Sequence, residues 1–346
     1  MAMSAYLDTR VSLYASRLWP SGEVEALIGA PDDAIAVALS RRGLPQLAPG
    51  VAGPEPDPRS LEQHIVAQTL DETRVLLRPL SGAERAFLSF WIVRFEISNV
   101  KTLLRSKMTG ERPSAVLERL TPMGPFGLLD DQELAHAEDV GELLRRLEAG
   151  PYAGIIRHAR RAFEETGDPF SLDAALDRGY YEGLAARARP LEERLGGSFR
   201  RLMADLIDRI NLGWLLRYRF NYGLPPAQVY YLLVRAPYGL SGPRLGQLAA
   251  RESVAGVLEA LPPTWRTRLA GAADISTIHA RIDATTAREA LRVLGSRAPA
   301  LARAFAYLVL RERDLRFLRS LLRGRYLGLM PDAIRDVLRQ ASAEAA

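Results

Sequence analysis

Apolar residues recur at helical spacing over most of this chain, and one amphipathic pattern is written three times. In the first copy Val100, Leu103, Leu104 and Lys107 fall at i, i+3, i+4 and i+7, so three apolar side chains share a face and the base leaves at its end. The full pattern is an acid, a buried-type position, Leu-Leu-Arg, a second base, a glycine, a proline and a closing apolar helix. The first copy reads Glu96, Asn99, Val100, Leu103, Leu104, Arg105, Lys107, Gly110 and Pro113, closing with Val116 and Leu120. The second reads Asp208, Asn211, Leu212, Leu215, Leu216, Arg217, Arg219, Gly223 and Pro226, closing with Val229 and Leu233. The third reads Asp314, Phe317, Leu318, Leu321, Leu322, Arg323, Arg325, Gly328 and Pro331, closing with Ile334 and Leu338. Alternating β-branched runs are nearly absent, so the class is all-α.

A helix ending in this way has its bases in the last turn, against the negative end of the dipole, and its glycine where the chain turns left-handed. Pro113, Pro226 and Pro331 then start a second helix, so each copy encodes a helix-turn-helix corner. Asn99 and Asn211 stand mid-helix among apolar residues, where an amide left without partners costs about 1–3 kcal/mol. The expectation is a satisfied core amide that fixes neighbouring helices; direct contact with a partner is the alternative. Glu96, Asp208 and Asp314 are expected to be internal partners of arginine rather than general acids. Two roles compete for Arg105, Lys107, Arg217, Arg219, Arg323 and Arg325, namely capping the helix end and binding an acidic face of a partner.

Spacings above 100 residues are too long for common solenoid repeats. Other marks recur with the pattern: Arg78-Pro79-Leu80, Arg189-Pro190-Leu191 and Ala298-Pro299-Ala300-Leu301, and an amphipathic segment around Val24 to Leu27, Val140 to Leu144 and Val254 to Leu258. Each proline is expected in the first turn of a new helix. The units are placed at 1–124, 125–238 and 239–346, with joints at Thr121-Pro122-Met123-Gly124 and Ala236-Pro237-Tyr238-Gly239. Gly43 to Ser60 holds five prolines and three glycines and is expected to be an extended surface loop. Ala341 to Ala346 are expected to fray.

At 346 residues and 48% apolar content the chain supports a packed core. It has no cysteine, so disulfides, zinc-thiolate sites and thiol nucleophiles are excluded. The beginning, Met1 to Leu13, lacks a signal-peptide h-region, and no uncharged apolar run is long enough to span a bilayer. The net charge of +5 is local, with six arginines against Glu312 and Asp314 between Arg311 and Arg325. That end suits an acidic protein face, anionic lipid or nucleic acid, or is simply a solvated helix face. His64, His136, His158 and His279 form no i,i+3 or i,i+4 metal pair, and no phosphate loop or nucleophile elbow occurs. Neither a cofactor nor an enzymatic activity is expected, and pattern and composition by themselves describe a helical repeat protein that binds something.

Three segments carry a resemblance: Arg94 to Lys107, Leu172 to Leu184 with its Leu176-Asp177-Arg178-Gly179-Tyr180-Tyr181 element, and Ile207 to Arg219. Together they resemble the C-type component of archaeal and bacterial A/V-type rotary ATPases, the counterpart of the d-type component of eukaryotic vacuolar ATPases. The resemblance implies three similar helical subdomains arranged as a pseudo-threefold funnel, on the cytoplasmic side of a membrane proteolipid ring. It implies a non-catalytic role, peripheral to the membrane, in which the funnel receives a D/F-type central shaft and couples its rotation to ion transport through the ring. The alternative is a helical scaffold that binds nucleic acid or an acidic protein through the basic C-terminal face, and nucleic acid is not the expected partner. Phe317 departs from the pattern where Asn99 and Asn211 stand, so the units are expected to be similar rather than equivalent.

Overall fold

The computed structural model describes residues 2–47 and 58–344. Among them are nineteen α-helices, short 3-10 turns, one π-helical turn and no strand. The first stretch of the sequence pattern, 1–124, holds α1 (Ala2–Ala15), α2 (Ser21–Ile28), α3 (Asp32–Arg41), α4 (Pro58–Leu77), α5 (Gly82–Phe90), α6 (Val93–Thr109) and α7 (Pro113–Leu117), and unit below means such a stretch of sequence. The second contributes α8 (Asp131–Ala135), α9 (Val140–Glu148), α10 (Ala153–Thr166), α11 (Pro169–Ala188), α12 (Glu192–Leu216) and α13 (Pro226–Leu232). The third contributes α14 (Gly242–Ala249), α15 (Val254–Ala260), α16 (Pro263–Leu269), α17 (Ile275–Gly295), α18 (Ala300–Tyr326) and α19 (Pro331–Glu344).

Local chemistry sets these boundaries. Asp130, Asp139, Asp168, Ser253 and Asp274 each cap a helix by accepting N–H bonds from its first turn. Pro113, Pro226 and Pro331 open α7, α13 and α19, and Gly110, Gly223 and Gly328 all sit at φ +67 in the corners before them. Glu111 and Leu329 donate back five residues, to the carbonyls of Ser106 and Gly324, which closes a Schellman turn at two of the corners. The second copy is one residue longer between its acid and its glycine. The extra residue is absorbed by the π turn Arg217–Asn221, and Leu224 donates six residues back, to Tyr218.

The long helices pack along the motif helices: α4 on α5 and α18, α11 on α6 and α12, and α17 on α12 and α18. These pairs, with α1 laid on α18, build the main core around Phe87, Trp91, Phe199, Leu206, Phe305 and Tyr307. The short helices that lead each unit pack on the motif helix of the unit before. Ile97, Val100, Leu103 and Leu104 share a cluster with Leu143, Leu144, Leu147 and Ile156. Leu212, Leu215 and Leu216 join Leu245, Leu248, Val257 and Trp265 in the main core. Leu315, Leu318, Leu321 and Ile334 cluster with Trp19, Leu27, Ile35 and Leu39 near the start of the chain. Apolar packing therefore runs across the borders of the sequence repeats.

Several local expectations change. Pro190 lies in a 3-10 turn leading into α12 and Pro299 immediately precedes α18, but Pro79 lies in the turn between α4 and α5. Within Gly43 to Ser60, Pro45–Leu47 form a 3-10 turn and α4 already starts at Pro58; residues 48–57 of the expected loop lie outside the described residues. Helix α19 continues to Glu344, through part of the segment expected to fray. No described helix is long and apolar enough to cross a membrane.

Candidate functional site

The three motif acids do the same work in the same cyclic order. Glu96 Oε1 accepts from the backbone N–H of Leu128 and Leu129, at 2.7 and 2.9 Å, and Oε2 accepts from the Tyr152 hydroxyl. Asp208 accepts from Leu240 N at 2.6 Å and from the Trp265 indole N–H at 3.0 Å. Asp314 accepts from Trp19 N at 2.9 Å. Leu129, Leu240 and Trp19 each immediately precede the N-cap of a leading helix, α8, α14 and α2. The first unit thus holds the second, the second holds the third, and the third holds the first. Among the described residues, Asp314 alone of these acids bonds to an arginine, Arg313 at 3.4 Å. The backbone N–H groups of the chain leading to each helix, which need an acceptor once buried, take these acids in place of the expected arginines.

The second motif bases follow the same order. Lys107 Nζ donates to the carbonyl of Ala135 at 2.5 Å, Arg219 Nε to that of Ala249 at 3.2 Å and Arg325 to that of Ala30 at 2.8 Å. Ala135 and Ala249 are the last residues of α8 and α14, and Ala30 lies just past α2. Each leading helix is thereby held at its start by an acid and at its end by a base, complementary to its dipole. The caps belong to the next unit's helix, whereas sequence spacing pointed to the motif helix's own end. Arg325 also binds Asp32, Arg105 pairs with Asp173 while remaining exposed, Arg217 is half-buried and Arg323 is exposed.

Asn99 and Asn211 act on the chain that leaves each corner. The Asn99 amide exchanges two bonds with the backbone of Thr121, both 2.8 Å, and the Asn211 amide does so with Val234 at 2.8 and 3.1 Å. Thr121 and Val234 each come eight residues after the corner proline. In the third unit Phe317 packs against apolar neighbours instead, and the matching Arg339 is still inside α19. An amide that pairs with extended backbone turns the chain out of its helix; where it is missing, the helix runs on.

Compared with known proteins, residues 7–337 match the profile of the ATP synthase (C/AC39) subunit family. This chain belongs to that family. It is 22% identical to the C-type component of the A-type ATP synthase of Methanocaldococcus jannaschii, over 98% of this chain and 86% of that protein. It is 24% identical to the C-type component of the V-type ATP synthase of Deinococcus radiodurans, over 96% of this chain and 90% of that one. The corresponding A-type ATP synthase component of Methanothermobacter thermautotrophicus is 29% identical over 64% of this chain and 56% of its own length.

In this C/AC39 chain a further set of ion pairs repeats the cyclic order. Lys101 on α6 pairs with Asp177 on α11 at 2.6 Å, Arg209 on α12 with Asp283 on α17 at 3.1 Å, and Arg311 on α18 with Glu72 on α4 at 2.7 Å. Sequence reading missed these pairs because their positions along the motif helices differ. The Leu176-Asp177-Arg178-Gly179-Tyr180-Tyr181 element is where the first and second units meet. Beyond Asp177, Arg178 donates to the carbonyl of Tyr231, Gly179 lies against Ile155, and Tyr180 donates to the carbonyl of Trp91 at 2.9 Å while stacking on Phe90.

His279 is buried, with Nε2 3.4 Å from the carbonyl of Gly213, and burial lowers its pKa. His136 and His158 bond to backbone carbonyls one turn back. No cluster of histidine and acids among the described residues has the makings of a metal site. Two acids that burial raises lie at inter-unit contacts: burial pushes Asp208 up to about 7, and burial with Glu96 and Asp130 nearby pushes Asp131 up to about 6. A shallow cleft of about 260 Å³ between α10 and α11 is bordered by Phe90, Tyr152, His158, Glu182 and Arg187.

Proposed function

We propose that this chain is a non-catalytic socket in the central stalk of a V/A-type rotary ATPase. In this reading it joins a D/F-type rotating shaft to the membrane proteolipid ring and passes torque between them, coupling ATP hydrolysis or synthesis to proton or sodium transport. Units 1–124, 125–238 and 239–346 surround a pseudo-threefold axis as a funnel on the cytoplasmic face of the membrane, and no cofactor is required. One observation carries the reading beyond family membership: the acid and base contacts run from unit one to two, two to three and three back to one. A body closed in this way resists twisting about its axis, which is the property a torque coupler needs. Of the six motif bases, Arg105 and Arg323 are exposed and suit an acidic face of the shaft or ring loops, whereas Lys107, Arg219 and Arg325 hold internal carbonyls. The nucleic-acid alternative loses support because arginines of the basic C-terminal helix meet internal acids, as Arg311 does Glu72 and Arg325 does Asp32.

The deciding experiment is a pull-down of the tagged chain from membranes of its own source, scored for the shaft, the proteolipid ring and nucleic acid. Joint recovery of shaft and ring is the expected result. Recovery of neither would return the chain to an unassigned helical binder.

A further inference from the structure

Helix α17 has two sides of opposite character. Its inward side carries Ile278, Ile282, Ala290 and Val293 into the main core, and its acid Asp283 is held there by Arg209 at 3.1 Å and Arg316 at 3.7 Å. Arg281, Ala284, Arg288, Leu291, Arg292 and Gly295 share the other side, because steps of three, four and seven residues return to one face of a helix. All of these but the half-buried Arg281 are exposed. Arg201 of α12 joins them beside Arg292, since both reach Glu289.

Charge on this face is one-sided. Arg281 donates to the carbonyl of Ala270, and Arg288 to the carbonyl of Ala284 and the Thr285 hydroxyl, so neither meets an acid among the described residues. Arg292 and Arg201, the latter at 3.4 Å, share Glu289, which is only 3% exposed while they keep 61% and 60% of their side-chain surface. Asp205, one turn along α12 from Arg201, is taken by Arg268 at 2.9 Å. Four guanidinium groups therefore surround a single, covered carboxylate. Leu291 stands among them, 49% exposed. A lone exposed leucine is ordinary, but an apolar side chain ringed by arginines has the makeup of an interface centre.

We propose that this face of α17 docks an acidic helix of a protein partner, whose carboxylates meet Arg281, Arg288 and Arg292 and whose apolar side chain covers Leu291. The three arginines span about 16 Å along the axis, three turns of helix, and a facing helix repeats its own side chains at the same intervals. Guanidinium groups bind carboxylates through paired, planar hydrogen bonds. Nucleic acid is disfavoured because no aromatic ring lies on the face for bases to stack on. A bilayer is disfavoured because one leucine offers too little apolar surface to insert. None of these residues belongs to the three motifs, so the face can act whatever sits in the socket.

The test places a photo-crosslinking residue in the full chain, as Leu291→p-benzoylphenylalanine, in cells of its own source, with the joined segment identified by mass spectrometry. One protein partner is expected, held through a segment with carboxylates at helical spacing. Arg288→Glu with Arg292→Glu is expected to lower the yield about tenfold or more. Because Arg292 also covers Glu289, Arg288→Glu is run alone as well; that side chain bonds only to its own helix, and a loss of about threefold or more is expected. Arg244→Glu with Arg251→Glu, exposed arginines elsewhere, is the control and is expected to change nothing. Replacing the partner's facing carboxylates by arginine is expected to restore the yield lost to the double change, which damage to either fold cannot do. Cross-links to lipid or nucleic acid alone, to a segment without carboxylates, in equal yield from every variant, or none at all, would each overturn the proposal.

Discussion

Asp208 shows how much one buried carboxylate organises. It anchors the chain entering the third unit through Leu240 N–H and the Trp265 indole, and it lies so close to Gly239 that a Cβ there would collide with it. Gly239 also has φ +57, so an alanine would add backbone strain to the clash. Burial raises the Asp208 pKa to about 7 against the pull of its two N–H donors. The folded chain therefore keeps a proton there that the unfolded chain releases near pH ~4. Its contribution to stability is complete below that pH and is lost as pH rises through about 7. Urea unfolding at pH 5 and 7.5 is expected to show wild type losing stability relative to Asp208→Asn, on the order of a few kcal/mol; parallel curves would refute the assignment. Asn211 makes a separate case, because its amide exchanges two bonds with Val234 and is 1% exposed. Asn211→Ala is expected to cost about 1–3 kcal/mol, measurable as a lower denaturation midpoint with an unchanged slope.

Among the helices, the corners were legible and the partners were not. The acid, Leu-Leu, glycine and proline spacings announce α6 with α7, α12 with α13, and α18 with α19, since each feature acts on backbone a few residues away. The π turn at Arg217–Asn221 was legible only in hindsight, as a one-residue excess in the second copy. Helix α18 carries the clearest inter-element network: Glu72 on α4 accepts from Tyr307 at 2.6 Å and from Arg311 at 2.7 and 3.1 Å, and Gln68 supplies one more bond at 2.8 Å. Nearly every acceptor site of Glu72 is used, so removing one member leaves a charge stranded. Arg311→Leu is expected to cost about 3–5 kcal/mol in thermal or urea unfolding. The double replacement Glu72→Leu with Arg311→Leu should recover much of that loss, and failure to recover would mean that packing rather than charge dominates there.

For the molecule as a whole, closure is the central property. The first two inter-unit contacts are reinforced by a covalent joint, but the third unit meets the first through non-covalent groups, among them Asp314 with Trp19, Arg325 with Ala30 and Asp32, Arg303 with Asp8, Arg311 with Glu72, and the apolar cluster around Leu318 and Ile35. Removing residues 1–47 uncovers that cluster on α18 and is expected to lower the thermal midpoint by about 10 °C or more; calorimetry of a soluble truncated chain with an unchanged midpoint would refute the seam. The sequence by itself determined the helical class, the three copies and their corners, because these follow from periodicity and from interactions spanning a few residues. Only the tertiary structure decided that each acid and base serves the next unit rather than its own, and that Phe317 leaves α19 to run on. Those contacts join residues up to 295 positions apart in the chain, and no local pattern encodes which of many possible partners will lie opposite once the core has packed.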